Sequence, residues 1–227
     1  PSGPSAGVIY KPSYYPNAPF PFQPSRSKEP KEIVFISCVG SRDPEHGLPY
    51  CSRVCCMYLV KMALLYKHAV PDGQAYIFYI DIRTTGKGYE EFVQRAVEED
   101  DVLYLRGRVS KVFRDGDKLV VWGSDTLTGK RVEISCDLVV LGTAMLPSFG
   151  TTEMASKLGI ATDENGFLAE MHPKLRPLES SVPGIYIAGC GQSPKDIPDS
   201  VAQASGAAGK VLELLSKEEI ILEKAVS

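Results

Sequence analysis

The chain has 227 residues, 44% of them hydrophobic, and a formal net charge of −3. That length suffices for one large domain or two small ones with an ample core, and the interspersed charges exclude the basic face that nucleic-acid binding requires. No apolar run reaches membrane-spanning length and no secretory signal is visible, so the expectation is a soluble, cytoplasmic protein with no membrane span.

Residues 1–30 carry prolines at 12, 16, 19, 21, 24 and 30 with aromatics between them. Such a stretch cannot be a helix and makes a poor interior strand, so it is expected to run extended over another surface. Its opening, "PSGPSAGVIY", has no initiator methionine and reads as part of something longer. From Lys31 the pattern is regular. "EIVFISC" is a buried strand, "VGSRDPEHGLPY" a loop, and residues from about Cys51 to Lys67 a helix. "AYIFYIDI" is a second strand, "GYEEFVQRAVEE" a second helix and "VLYLRG" a third strand, an alternation that predicts a parallel sheet with crossover helices. Residues 108–143 then alternate with period two around the hairpin signals "RDGD" and "TGKR", an antiparallel meander ending on "CDLVVLGT".

The last third holds a short helix, a turn at "DENG", a buried strand "GIYIAGC" and a closing helix from about Asp199 to Lys217. That helix opens on small residues, "DSVAQASGAAGK", which suit either close packing or the approach of an anion or cofactor to its backbone. The layout is that of a dinucleotide-type domain in two-domain flavoenzymes. The glycine triplet that admits a pyrophosphate after the first strand is missing, however. The strand ends instead in "SCVGSRD", so this domain is not expected to bind NAD.

Cysteines occupy that place. Six in the whole chain are too few for a disulfide scaffold, and clustered thiols point to metal or redox chemistry. With a helix starting at Cys51, Cys51 and Cys55 share one face and Cys56 lies about 100° away, while Cys38 arrives from the strand end. A single zinc ion wants four sulfurs in a tight tetrahedron, which adjacent Cys55 and Cys56 serve poorly. A [4Fe-4S] cube presents well-separated corners to thiolates, and Arg42 and Arg53 stand near enough in sequence to add positive charge. Zinc, thiol chemistry at Cys55–Cys56 and plain burial stay open on spacing alone. Cys136 reads as core, and His46, His68 and His172 are too scattered for a catalytic constellation.

"FISCVGSRD", "YCSRVCCMY", "DIRTTGKGYEEF", "GFLAEMHPKLRP" and "SPKDIPDSVAQASGAA" together resemble the A subunits of heterodisulfide reductase along almost the whole chain. The resemblance implies an α/β, thioredoxin-reductase-like fold: a parallel βαβ sheet with an antiparallel meander, then the C-terminal half of an FAD-binding domain. The expected divisions are 1–30, an NAD-like domain at 31–145 carrying the cluster, and 146–227. It implies FAD and [4Fe-4S] clusters as cofactors, with Cys38, Cys51, Cys55 and Cys56 as one ligand set. It also implies an FAD-contacting stretch at Gly189, Cys190, Lys195, Asp196, Ile197, Val201, Ala202, Gln203 and Ala204. Cys190 stands where related flavoenzymes carry an aspartate, and a lysine such as Lys195 near the flavin would favour its anionic reduced form.

The implied role is oxidoreductase electron transfer between flavin and clusters, as in the methanogenic complexes that divide electrons between ferredoxin and a coenzyme disulfide. The implied partners are other subunits of such a complex, ferredoxin, and the family's N-terminal portion with its glycine fingerprint. Without that portion, FAD is expected not to remain bound and the chain to be inactive alone. The contrasting expectation is a zinc-binding or metal-free structural module.

Overall fold

A computed structural model describes Gly7–Ile9, residues 29–217 and Glu219. The rest of the proline- and aromatic-rich segment 1–28 lies outside the described residues. The chain divides into two compact units, Pro1–Ala144 and Met145–Ser227.

The first unit is built on a five-stranded, all-parallel sheet. Its strands are β1 (Gly7–Ile9), β2 (Glu32–Val39), β3 (Gln74–Tyr79), β4 (Leu103–Arg106) and β8 (Leu138–Thr143), in the order β1-β8-β2-β3-β4. Helix α1 (Cys55–Ala69) joins β2 to β3, and α2 (Tyr89–Glu98) joins β3 to β4. A separate antiparallel sheet, β5 (Val109–Asp115), β6 (Lys118–Asp125) and β7 (Lys130–Cys136), connects β4 to β8. "CDLVVLGT" therefore does not end the meander. Its strand enters the parallel sheet between β1 and β2.

Why the sheet sits between two layers can be read along β2. Side chains alternate across a strand. Ile33 and Phe35 join the core beneath α1 and α2, whereas Val34 and Ile36 join the core beneath the three-stranded sheet. β3 and β8 divide the same way, Ile77 and Val140 to the helices, Phe78 and Val139 to the meander. A strand buried on both faces is apolar throughout, as "EIVFI" is. Cys136 is buried in the second of these cores, and burial pushes its thiol up to about 12.

The start of the sheet is tied by Asp137. Its carboxylate accepts from the Lys31 amide (2.9 Å), the Glu32 amide (3.1 Å) and Lys118 Nζ (2.6 Å). Burial raises its pKa, and these donors together outweigh it, so the carboxyl lies below its ordinary value. A carboxylate depressed in the folded state contributes stability above its unfolded pKa, ~3.9, and loses it as pH falls through the folded value. Asp137→Asn is expected to cost ~1–3 kcal/mol at neutral pH. In urea unfolding, the gap from the unaltered chain should close as pH drops below ~4. A gap that persists in acid would contradict this account.

In the second unit α3 (Thr151–Leu158) is followed by turns, a 3-10 turn at Gly189–Gly191 and α4 (Ile197–Leu215). α4 starts two residues before the expected position. The Asp196 carboxylate caps it by accepting from the Asp199 amide at 2.9 Å, and Pro198 fits its first turn. The predicted strand "GIYIAGC" does not form a ladder. Tyr186 makes an isolated bridge with Glu179, and the Ile187 amide donates to the Leu178 carbonyl at 2.8 Å. A strand exists only with a neighbour to share its backbone hydrogen bonds along its length, and here the segment 178–180 supplies only this short pairing, among the described residues.

Candidate metal centre

Cys38, Cys55 and Cys56 come together at the carboxyl end of the parallel sheet, the edge where open α/β sheets place their sites. Cys38 is the seventh residue of β2, at a break in the register with β8. Its φ of 58° is unusual for a non-glycine residue. An irregularity of this kind re-aims a side chain at the end of a strand.

The loop after Cys38 folds back on itself. The Ser41 amide donates to the Cys38 carbonyl (3.2 Å), Arg42 to Tyr50 (2.9 Å), Asp43 to Leu48 and Leu48 to Gly40 (2.9 Å each). A Cβ on Gly47 would stand 2.8 Å from the Gly40 carbonyl oxygen, so the two arms of the loop close only over a glycine. This closure returns the chain to Cys51.

The expected helical pairing of Cys51 with Cys55 is overturned. α1 begins at Cys55, because Arg53 is left-handed (φ 62°) and breaks the helical run. Cys51 therefore lies in the loop, its sulfur accepting the Arg53 amide at 3.2 Å. Cys55 and Cys56 are the first two residues of α1, whose N-cap, Val54, offers no side-chain cap. The first-turn amides and the positive end of the helix favour thiolate there.

Three sulfurs meet. Cys55, buried, interacts with both Cys38 and Cys56, and these neighbours together with burial drive its own thiol far up. Cys38 is lowered to about 6, chiefly by Cys55, with help from Ser37 and the Arg42 guanidinium. Cys56 is lowered to about 7, again chiefly by Cys55 and then by the Arg83 amide. Cys56 Sγ also stands 3.7 Å from the Asp81 carbonyl, as a donor when protonated. Among the described residues no group of three or more His, Cys, Asp or Glu side chains is disposed to hold a metal ion. The set is made of soft thiols on a strand end, a loop and a helix start. That donor chemistry fits an iron–sulfur cube.

Sequence reasoning missed the segment after β3. Asp81 pairs with Arg42 and with Arg83 Nε (3.4 Å), and Arg108 Nη2 donates to the Arg42 carbonyl (2.6 Å). The available signal was positional: Asp81–Arg83 follows the carboxyl end of the strand next to β2.

The residues expected near FAD lie in the second unit. Gly189 is left-handed (φ 67°) and its amide donates to Gln203 Oε1 at 2.6 Å. Gln203 also donates to Gln192, which donates to Glu170 at 2.8 Å. Cys190 is exposed with its sulfur 3.4 Å from the Lys195 carbonyl, and Lys195 Nζ donates to Ser193 at 2.5 Å. Asp196 is occupied as the cap, and Ile197 is 79% exposed. Val201, Ala202, Gln203 and Ala204 were expected at the helix start but fall in its second turn, where amides bond back along the helix.

No family model matches the chain. Over its full length it is 44% identical to the A subunit of the "H(2):CoB-CoM heterodisulfide,ferredoxin reductase" of Methanothermobacter thermautotrophicus, covering 33% of that protein. The H(2)/formate counterpart of Methanococcus maripaludis is 48% identical over 88% of the chain and 31% of the relative. The A subunit of the "Ferredoxin:CoB-CoM heterodisulfide reductase" of Methanosarcina acetivorans is 46% identical over 87% and 25%. The fold is that of thioredoxin reductases. The T. acidophilum enzyme superposes with a TM-score of 0.56 at 20% identity, over 82% of this chain and 53% of that one. The Lactococcus lactis enzyme gives 0.51 at 22% identity, over 80% and 52%. The chain spans about a third of the length of the curated relatives it matches. Over its whole length it is homologous to a segment of the heterodisulfide reductase A subunits.

Proposed function

We propose that the chain is the part of an electron-transferring oxidoreductase that holds one [4Fe-4S] cluster on Cys38, Cys51, Cys55 and Cys56 and contributes one wall of a flavin site. The observation that carries this reading is the meeting of Cys38, Cys55 and Cys56 sulfurs from a strand end and a helix start. The relatives' names support the class of chemistry.

When bound, a cluster supplies one-electron transfer, and a flavin supplies the exchange of electron pairs for single electrons. The chain's own work is positioning. The loop 39–54 brings Cys51 back toward the strand end, α1 presents adjacent thiols at its positive end, and the Arg53 and Arg83 amides donate to Cys51 and Cys56. Amide donors of this kind keep sulfur ligands anionic and fix their direction.

On the flavin side, Gly189, Cys190, Lys195, Asp196, Ile197 and the turn Val201–Ala204 form the wall. The small residues of α4 leave room there, and no residue of α4 is buried by the chain itself. The facing portion would come from the remaining length of the full protein, and other subunits and a ferredoxin-type carrier are the proposed partners. No helix among the described residues is long and apolar enough to cross a membrane.

Anaerobic purification followed by iron and acid-labile sulfide analysis tests the reading. About four of each per chain, with a broad visible absorption that bleaches on reduction, is the expected result. Failure to incorporate iron and sulfide even after reconstitution of a folded sample would overturn it in favour of a structural module. Stoichiometric zinc would do the same.

A further inference from the structure

Outside the thiols themselves, the most closely organised group in the first unit is the set of arginines and aspartates at the carboxyl edge of the sheet. Arg42 stands at its centre. Its backbone is left-handed (φ 57°) and fastened at both ends: its amide donates to the Tyr50 carbonyl at 2.9 Å, and its carbonyl accepts from Arg108 Nη2 at 2.6 Å. Its guanidinium is ion-paired to Asp81, whose backbone carbonyl stands 3.7 Å from Cys56 Sγ, and its positive charge helps to lower the Cys38 thiol. The Arg42 side chain is 22% exposed, against 57% for Arg108 and 46% for Arg83. Of these arginines, Arg42 is the least solvated and the one whose charge acts on Cys38.

Asp81 serves as the clamp. One carboxylate oxygen grips Arg42 and lies 3.4 Å from Arg83 Nε, while its backbone carbonyl meets Cys56. A carboxylate held between two arginines leaves a net positive charge in the group. The guanidinium's fork lets it hold the carboxylate and point another N–H elsewhere, which a lysine does less well.

We propose that Arg42, oriented by Asp81, is a positioning residue that sets the reduction potential of the centre held by Cys38. The proposal rests on the reading of Cys38 as a cluster ligand. Reduction adds negative charge to the centre. A fixed cation near the ligands favours the reduced state and so raises the potential. Arg42 is not itself oxidised or reduced.

The test is an anaerobic, dye-equilibrated titration of the full chain, followed by the electron paramagnetic resonance of the reduced cluster. Arg42→Met is expected to shift the reduction equilibrium about tenfold toward the oxidised form, which for one electron is a midpoint about 59 mV lower. Arg42→Lys, which keeps the charge and loses the fork, should fall between the two. If Arg42→Met does not take up a cluster, Arg42→Gln replaces it with the same expected drop. Full cluster content with an unchanged midpoint would overturn the role of Arg42 and leave the cluster standing. Absence of any cluster in the unaltered chain would overturn the reading beneath it.

Discussion

Cys55→Ser is expected to reduce iron and acid-labile sulfide from about four per chain to below about one, while the chain stays folded. Cys55 is the middle member of the three thiols, interacting with Cys38 on the strand and Cys56 on the helix. It is also the most enclosed of them, 1% exposed. Serine keeps the small volume and a hydrogen-bonding group, so the packing beneath α1 survives. What it loses is the soft sulfur donor that iron–sulfur chemistry requires. Cys136→Ala is the matched control, because Cys136 is equally buried but lies in the core beneath the meander, in a different cluster of side chains. Iron and sulfide analysis beside a thermal melt separates loss of ligand from loss of fold. Full iron content in folded Cys55→Ser would remove Cys55 from the ligand set.

The second large effect concerns the helix that carries those ligands. Leu59 is fully buried and lies four residues after Cys55, on the same face of α1. It packs against bare backbone: a Cβ added to Gly142 would stand 2.7 Å from Leu59 Cδ1 and 3.0 Å from the Ile36 carbonyl oxygen. Leu59 thus fits a groove that a glycine on β8 leaves open beside β2, two residues before Cys38. Leu59→Ala should cost ~2–5 kcal/mol, combining lost transfer energy with a cavity the sheet cannot close. Total stabilities are only about 5–15 kcal/mol, so this would move the urea midpoint strongly. Leu65→Ala, on the exposed side of the same helix, should stay within about 0.5 kcal/mol. A Leu59→Ala cost below ~1 kcal/mol would show that α1 is not anchored through this contact. Iron retention in the same variant is expected to fall as well, because the first turn of α1 moves with its anchor.

The alternation of elements, the two hairpins and the apolar runs of β2 and β3 were legible from residue patterns, because binary patterning and turn chemistry act locally. So was the choice of the cysteines as the group to examine, since thiol chemistry belongs to residue type. The start of α1 was not legible. Helical periodicity runs smoothly through "CSRVCC", and only the loop hydrogen bonds that set Arg53 left-handed show that Cys51 stands outside the helix. The strand at "GIYIAGC" failed for a related reason: its apolar run is right for a strand, but a strand is a property of two chain segments.

The partners of the thiols were hidden for the same cause at longer range. Asp81 lies 39 residues from Arg42 in sequence and meets it in space. Residue identities and local periodicity told which groups can ionise, ligate or pack and which segments are strand or helix. Which sulfurs come together, which arginine is clamped by Asp81, and which glycine leaves room for Leu59 were decided by the parallel order of β8, β2 and β3. Parallel pairing joins segments distant along the chain, and only their register brings those side chains within a few ångströms of each other.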